Sequence, residues 1–293
     1  MSVNENAAVR RARPSAGHLV RSFLANNGAL VGLVILCGAL ALATPAFLSA
    51  ANILNIGIQA ATVAIMAFGM TFVIVAAGID LSVGSVAAIA GMVSAYAFTQ
   101  MGLPGAVALI LGLLVGTLFG TVNGLANAFL HLPSFIATLA MLSVARGLTL
   151  VISGGQPIAT PDAVNFLGGS VGPVPMPIVV MVVMGLIASF ILNNTAVGRS
   201  MYAVGGNFEA ARLSGIPVRG VQVLVFALSG LFTSMAGLVL AGRLFTAAPQ
   251  AATGYELDAI ASVVIGGASL AGGVGRISGT VVGPSSWRSS ATV

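Results

Sequence analysis

The chain contains no lysine; all eleven of its basic residues are arginine. A phosphate-cradling loop of the form G-x-x-x-x-G-K-[ST] is thereby excluded, because its lysine must reach the phosphates. Lysine Schiff-base chemistry is excluded with it. Charge of either sign is scarce. Only 6% of the 293 residues are charged, against about a quarter in a soluble domain. An ordinary soluble enzyme cannot cover its surface with so little charge, and so apolar a chain is not a disordered one. Cysteine occurs once, at Cys37 within an apolar run, so no intrachain disulfide can form. That residue reads as small packing volume. The two histidines, His18 and His131, are far apart, and no His/Cys spacing suggests a metal. Gly273-Val274-Gly275 does not complete a dinucleotide fingerprint. An intramembrane protease would need a Ser–His pair or paired aspartates within the apolar runs, and these runs hold neither.

What is abundant is apolar length. Hydrophobic residues make up 58% of the chain and the mean hydropathy is +1.08. Between Arg21 and Arg146 the only charged residue is Asp80. A helix needs about 20 mainly apolar residues to cross a bilayer, so this stretch holds several. Continuous runs rather than short alternating strands exclude a membrane β-barrel. The fold class expected is all-α: a polytopic transmembrane helical bundle with about eight spans. The runs are 28–48, 53–79, 81–98, 103–130, 134–152, about 174–192, 220–242 and a Gly-rich one from 257 toward 275. Ala41-Leu42-Ala43 also resembles a signal-peptide cleavage site, but an uncleaved first span is preferred because further spans follow at once.

The net charge of +5 is read as topology rather than as affinity for nucleic acid. Arg10, Arg11, Arg13 and Arg21 place a tail, 1–27, in the cytoplasm. Six spans later the chain is inside again, where Arg199, Arg212 and Arg219 fall; after eight it is inside at Arg276. Arg243 is the exception. The organisation expected is the tail, a membrane domain over 28–283 with a cytoplasmic loop at 193–219, and an aberrant polar end at 284–293.

Few residues within this pattern carry chemistry. Gly112, Gly116, Gly120 and Gly124 recur every fourth position and read as a helix-packing face. Asn123 and Asn127 lie near that face, as packing glue or as the lining of a polar route. Asp80 is a functional candidate because an ionisable group in a membrane is costly. The expected topology puts it at the cytoplasmic end of the second span. There Asp80 and Ser82 suit a turn and helix N-cap, and this structural role is preferred. Arg146 either snorkels to the interface or faces a polar cavity. Asn207 suits an N-cap and Glu209 a first turn; Ala210, Ala211 and Arg212 favour helix, and Gly215 suits the residue after its end. A helix of about two turns is expected there, too short to stand alone. It is either a capped loop or a docking knob for a cytoplasmic partner. Arg243, Glu256 and Asp258 are expected together at the outer ends of the last two spans, as interface anchors or as contacts for an external partner.

Three blocks in order resemble the permease subunit of ABC sugar importers of the ribose/xylose/galactoside type. The first is Thr71-Phe72-Val73-Ile74 with Gly78-Ile79-Asp80-Leu81-Ser82-Val83-Gly84-Ser85. The second is Asn123-Gly124, Phe135-Ile136-Ala137-Thr138-Leu139 and Arg146-Gly147. The third is Gly198 through Gly215, then Glu256-Leu257-Asp258-Ala259-Ile260-Ala261 and Ile265-Gly266-Gly267. The resemblance covers about residues 45–283. It implies an inner-membrane transport subunit that catalyses no covalent chemistry and holds no cofactor, with ATP and Mg on a separate ATPase chain. It implies that Glu209, Ala210, Ala211 and Gly215 belong to the loop seated in that ATPase. A periplasmic or lipid-anchored sugar-binding protein and a second permease copy, identical or related, are the other implied partners. Members of the family have about ten spans, so the polar residues 284–293 read as a truncation or frameshift. The alternatives are a secondary transporter or channel for a small polar solute, and a non-functional truncated permease.

Overall fold

The structure is a computed structural model that describes residues 28–44 and 46–280. The expected tail, 1–27, and the expected aberrant end, 284–293, lie outside the described residues.

The helices are α1 (Gly28–Ala43), α2 (Ala50–Val75), α3 (Val83–Thr99), α4 (Gly105–Phe129), α5 (Ser134–Ser153), α6 (Asp162–Gly168), α7 (Met176–Asn194), α8 (Ala196–Gly206), α9 (Phe208–Leu213), α10 (Val218–Leu244) and α11 (Tyr255–Ile265). Four two-residue strands, β1 (Ile158–Ala159), β2 (Ser170–Val171), β3 (Val174–Pro175) and β4 (Thr246–Ala247), form two antiparallel ladders. One pairs Ile158 with Ala247 and Ala159 with Thr246; the other pairs Ser170 with Pro175 and Val171 with Val174. Otherwise the fold is all-α, as expected. Among the described residues five helices, α2, α4, α5, α7 and α10, are long and apolar enough to cross a membrane. The chain is a multi-pass membrane protein.

Position in the bundle follows side-chain size. Every residue of α2 from Ala60 to Val75 is buried, so α2 is the central helix. It packs against α10 through Phe72 and Phe232, edge to face at 5.5 Å. α4 instead buries a stripe of small residues, Ala108, Gly112, Gly116, Gly120 and Gly124, and leaves Leu114, Leu118 and Leu125 exposed for lipid. A Cβ at Gly120 would collide with the Phe226 carbonyl, and one at Gly230 with the Gly116 carbonyl. Lipid tails are as apolar as leucine, so close backbone packing rather than burial from water holds such helices together. The expected packing role of the glycine row is what the structure shows.

The end of the bundle carrying α8 and α9 is termed basal here, and the end carrying the two ladders distal. At the basal end, Gly205 of α8 lies on the Val75 carbonyl. The Gly273 N–H donates to that carbonyl at 2.9 Å, and Tyr202 Oη donates to the Gly275 carbonyl at 2.7 Å. The expected eighth run is not one helix. α11 ends at Ile265, Gly267 turns at φ +92°, and residues 268–276 are irregular. Eleven residues make about 16 Å of helix, short of the roughly 30 Å hydrocarbon core.

Candidate functional site

α2 and α3 are not joined by a surface turn. After Val75 the chain doubles back, with the Gly78 N–H bonded to the Val73 carbonyl and Ala77 at φ +62°. It then runs inward without helical structure to Ser82. Side chains of α5 hold this segment. The Ile79 N–H donates to Ser134 Oγ, and the Leu81 N–H to Thr138 Oγ1, each at 3.1 Å. Hydroxyls therefore satisfy backbone groups that no helix pairs, a requirement for non-helical backbone at membrane depth.

The segment delivers Asp80 to the bundle interior, where it is 2% exposed. One carboxylate oxygen accepts from the Ser82 N–H at 3.0 Å and from Ser82 Oγ at 2.6 Å. The other accepts from Ser229 Oγ of α10 at 3.0 Å. Asn123 Nδ2 of α4 donates to Ser82 Oγ at 2.9 Å. The carboxyl group thus ties its segment and the start of α3 directly to α10, and through Ser82 to α4. Ser229 lies eleven residues, about 16 Å, from the start of α10. Asp80 is therefore level with the middle of that helix, not at the basal end of α2 as the sequence suggested. The expected cap is also revised. Ser82 occupies the N-cap position of α3, but its hydroxyl donates to Asp80 instead of accepting from the helix. The carboxylate itself faces the first turn of α3, where negative charge is favoured.

Asn127, one turn basal of Asn123, does not join this network. Its Nδ2 donates to the Leu132 carbonyl at 2.9 Å. It lines a cavity of about 290 Å³ with Gly78, Ser134 and Gln222. The Asp80 segment forms part of that cavity's wall.

A second irregular segment approaches from the distal side. Residues 248–254 follow β4 and lead into α11. Arg146 of α5 fixes them: its Nη1 donates to the Pro249 carbonyl at 2.6 Å and to the Ala251 carbonyl at 2.9 Å. Arg146 therefore does not snorkel. Ala252, at φ +55°, and the Glu256 carboxylate pack on Gly84 in the first turn of α3, where a Cβ would collide with both. Glu256 also acts electrostatically on Arg146. Arg243 stands apart from Glu256, beside Gly168 at the distal end. The expected cluster of Arg243, Glu256 and Asp258 is divided accordingly. Asp258 lies in the first turn of α11, and its carbonyl accepts from Ser262 Oγ.

At the basal end α9 forms as its residues dictate. Asn207 Oδ1 accepts from the Ala210 N–H at 2.9 Å, Glu209 lies in the first turn, and Gly215 turns the chain at φ +81°. Arg212 donates through Nε and Nη2 to Glu209 at 3.0 and 2.8 Å. Ala211 is buried beneath, whereas Leu213 is 78% exposed. α8, not expected from the sequence, precedes it and is capped by Thr195, whose side chain accepts from the Gly198 N–H. Arg219 at the start of α10 stacks over Phe129, 5.6 Å from its ring.

Ser229, Ser134 and Thr138 are the residues sequence reasoning missed as site members. A hydroxyl within an apolar run gives no sign of which distant backbone it will meet.

Residues 52–285 match the family described as the branched-chain amino acid transport system / permease component. The ribose import permease protein RbsC of Haemophilus influenzae is 44% identical, over 89% of this chain and 82% of that protein. RbsC of Bacillus subtilis is 46% identical, over 87% and 80%. The xylose transport system permease protein XylH of Escherichia coli K12 is 34% identical, over 81% and 77%. The matched region contains the Asp80 network, Arg146 and its loop, and the α8–α9 knob. The chain belongs to this family of membrane-spanning ABC transporter permease components.

Proposed function

We propose that this chain forms the translocation path for a sugar of the ribose or xylose type in an ATP-driven importer of the bacterial inner membrane. The observation that carries the reading is α9. It is a capped helix of six residues, Phe208–Leu213, with Phe208 and Leu213 exposed at the end of a bundle otherwise built for lipid. A helix so short gains little stability from its own backbone, so a partner surface accounts for its exposed apolar residues. Placing α9 in the cytoplasm, with the N-terminus on the same side, agrees with Arg199, Arg212 and Arg219 and with the positive-inside rule. The partner is a separate ATPase chain, since a chain without lysine has no Walker loop of its own. A sugar-binding protein meets the distal face, and a second permease copy completes the path. Similarity to the ribose and xylose permeases supports the substrate class.

The test is accumulation of labelled ribose and xylose by right-side-out or reconstituted vesicles that carry the assembled transporter and enclose ATP. Accumulation that needs ATP and the binding protein, and that survives collapse of ion gradients, is expected. Uptake that follows an ion gradient and ignores ATP would refute the reading.

A further inference from the structure

At the distal end, on the opposite side from α9, a cleft of about 500 Å³ opens between the start of α2, the segment from α6 to β3, and the last turn of α10. Ligand pockets span about 300–1,000 Å³, so a monosaccharide fits with room for water. The wall contributed by α2 has two rows. Asn55 and Gln59 are four residues apart and share one helix edge; Leu54 and Ile58 share the next. Amide groups therefore stand beside an aliphatic strip. Opposite them is Arg243, placed by an unusually close backbone approach. A Cβ on Gly168 would collide with the Arg243 N–H, and one on Gly242 with the Val164 carbonyl. The two glycines let α6 lie directly on the last turn of α10, so that Arg243 borders the cleft.

The polar groups there are uncommitted. Among the described residues no ion pair or hydrogen bond engages the side chains of Arg243, Asn55 or Gln59. No carboxylate lines the cleft. Other polar side chains at comparable positions are engaged: Arg146 is bound to two carbonyls and Asn52 to the Phe47 carbonyl. A guanidinium and two amides beside an aliphatic strip suit a neutral ring compound with hydroxyls on its edges and C–H groups on its faces. Resting on the sugar-import reading, we propose that this cleft binds a monosaccharide before it passes into the bundle, with Arg243, Asn55 and Gln59 contacting its hydroxyls.

The test uses vesicles carrying the assembled transporter, with Cys37→Ser as background. Asn55→Cys is modified with a membrane-impermeant thiol reagent while ribose or xylose is raised through the millimolar range. Protection of Asn55→Cys, and none of Gln100→Cys on the exposed end of α3, is expected. If Asn55→Cys assembles poorly, Ser170→Cys on the facing wall takes its place. Adding Arg243→Gln should raise the half-protecting concentration about tenfold, the loss of one charge-assisted hydrogen bond. Absence of protection at both cleft cysteines overturns the proposal. So does protection by phosphorylated sugars alone, which would make the cleft an anion site, or protection indifferent to Arg243→Gln. ATP-driven uptake is scored in the same vesicles before the cysteines are modified. Uptake without protection rejects the cleft and leaves the import reading standing.

Discussion

Ser229 donates a hydrogen bond to the carboxylate of Asp80 at 3.0 Å, joining residues 149 apart in sequence near the middle of the bundle. That bond ties the break between α2 and α3 to α10. The Ser82 N–H and hydroxyl complete the coordination, and Asn123 extends it to α4. Asp80→Ala would leave three buried donors without an acceptor. Each such donor costs about 1–3 kcal/mol, so a loss of at least about 3 kcal/mol is expected. Ser229→Ala removes a single donor and should cost about 1 kcal/mol. Thermal denaturation in detergent, followed by size-exclusion chromatography, ranks the two. Equal midpoints would contradict the network.

The glycine row of α4 makes a sharper comparison. Gly120→Ala drives a methyl into the Phe226 carbonyl, whereas a Cβ at Gly147 in α5 meets nothing within 4 Å. Both substitutions remove a residue that is unfavourable in helices by about 1 kcal/mol. Gly147→Ala should therefore be neutral or slightly stabilising, and Gly120→Ala should reduce the yield of monodisperse protein. Tolerance of both would mean that α4 and α10 are not in backbone contact.

Arg146 holds residues 249–251 through two carbonyls. Arg146→Met keeps much of the aliphatic volume and removes both bonds. Gln250→Cys, exposed in the same segment, should then react faster with a thiol reagent than in the Arg146 background. Arg146→Lys should be intermediate, because an ammonium donates but lacks the planar fork. An unchanged rate in Arg146→Met would show that the loop is held by other contacts.

Much of the bundle was legible because apolar length is a strong signal. The runs 103–130 and 134–152 became α4 (Gly105–Phe129) and α5 (Ser134–Ser153) with ends nearly unchanged. The cap at Asn207 and the turn at Gly215 were also legible, since both are local. Depth was not. Hydropathy records that residues 76–82 are mostly apolar, but not that Ser134 and Thr138 will bind their N–H groups and draw Asp80 inward. α8 was missed for a related reason. Arg199, Ser200 and three glycines make its sequence look like a polar loop, and its helicity depends on burying Met201 and Val204 against the bundle. The run near 257–275 failed as a helix at Gly266, which lies against the backbone of Gly279. Nothing local in the sequence announces that contact.

The central claim is that a separate ATPase drives this permease through α9, and site-directed cross-linking tests it most directly. Leu213→Cys, in the Cys37→Ser background, places a thiol on the more exposed of the two large apolar residues of that helix. With a short bifunctional reagent, a cross-linked product containing the ATPase subunit should form in active vesicles. It should be lost with Gly215→Asp, which forces a side chain into a backbone at φ +81°. ATP-dependent uptake that persists without any such product, or a product indifferent to Gly215→Asp, would contradict the account.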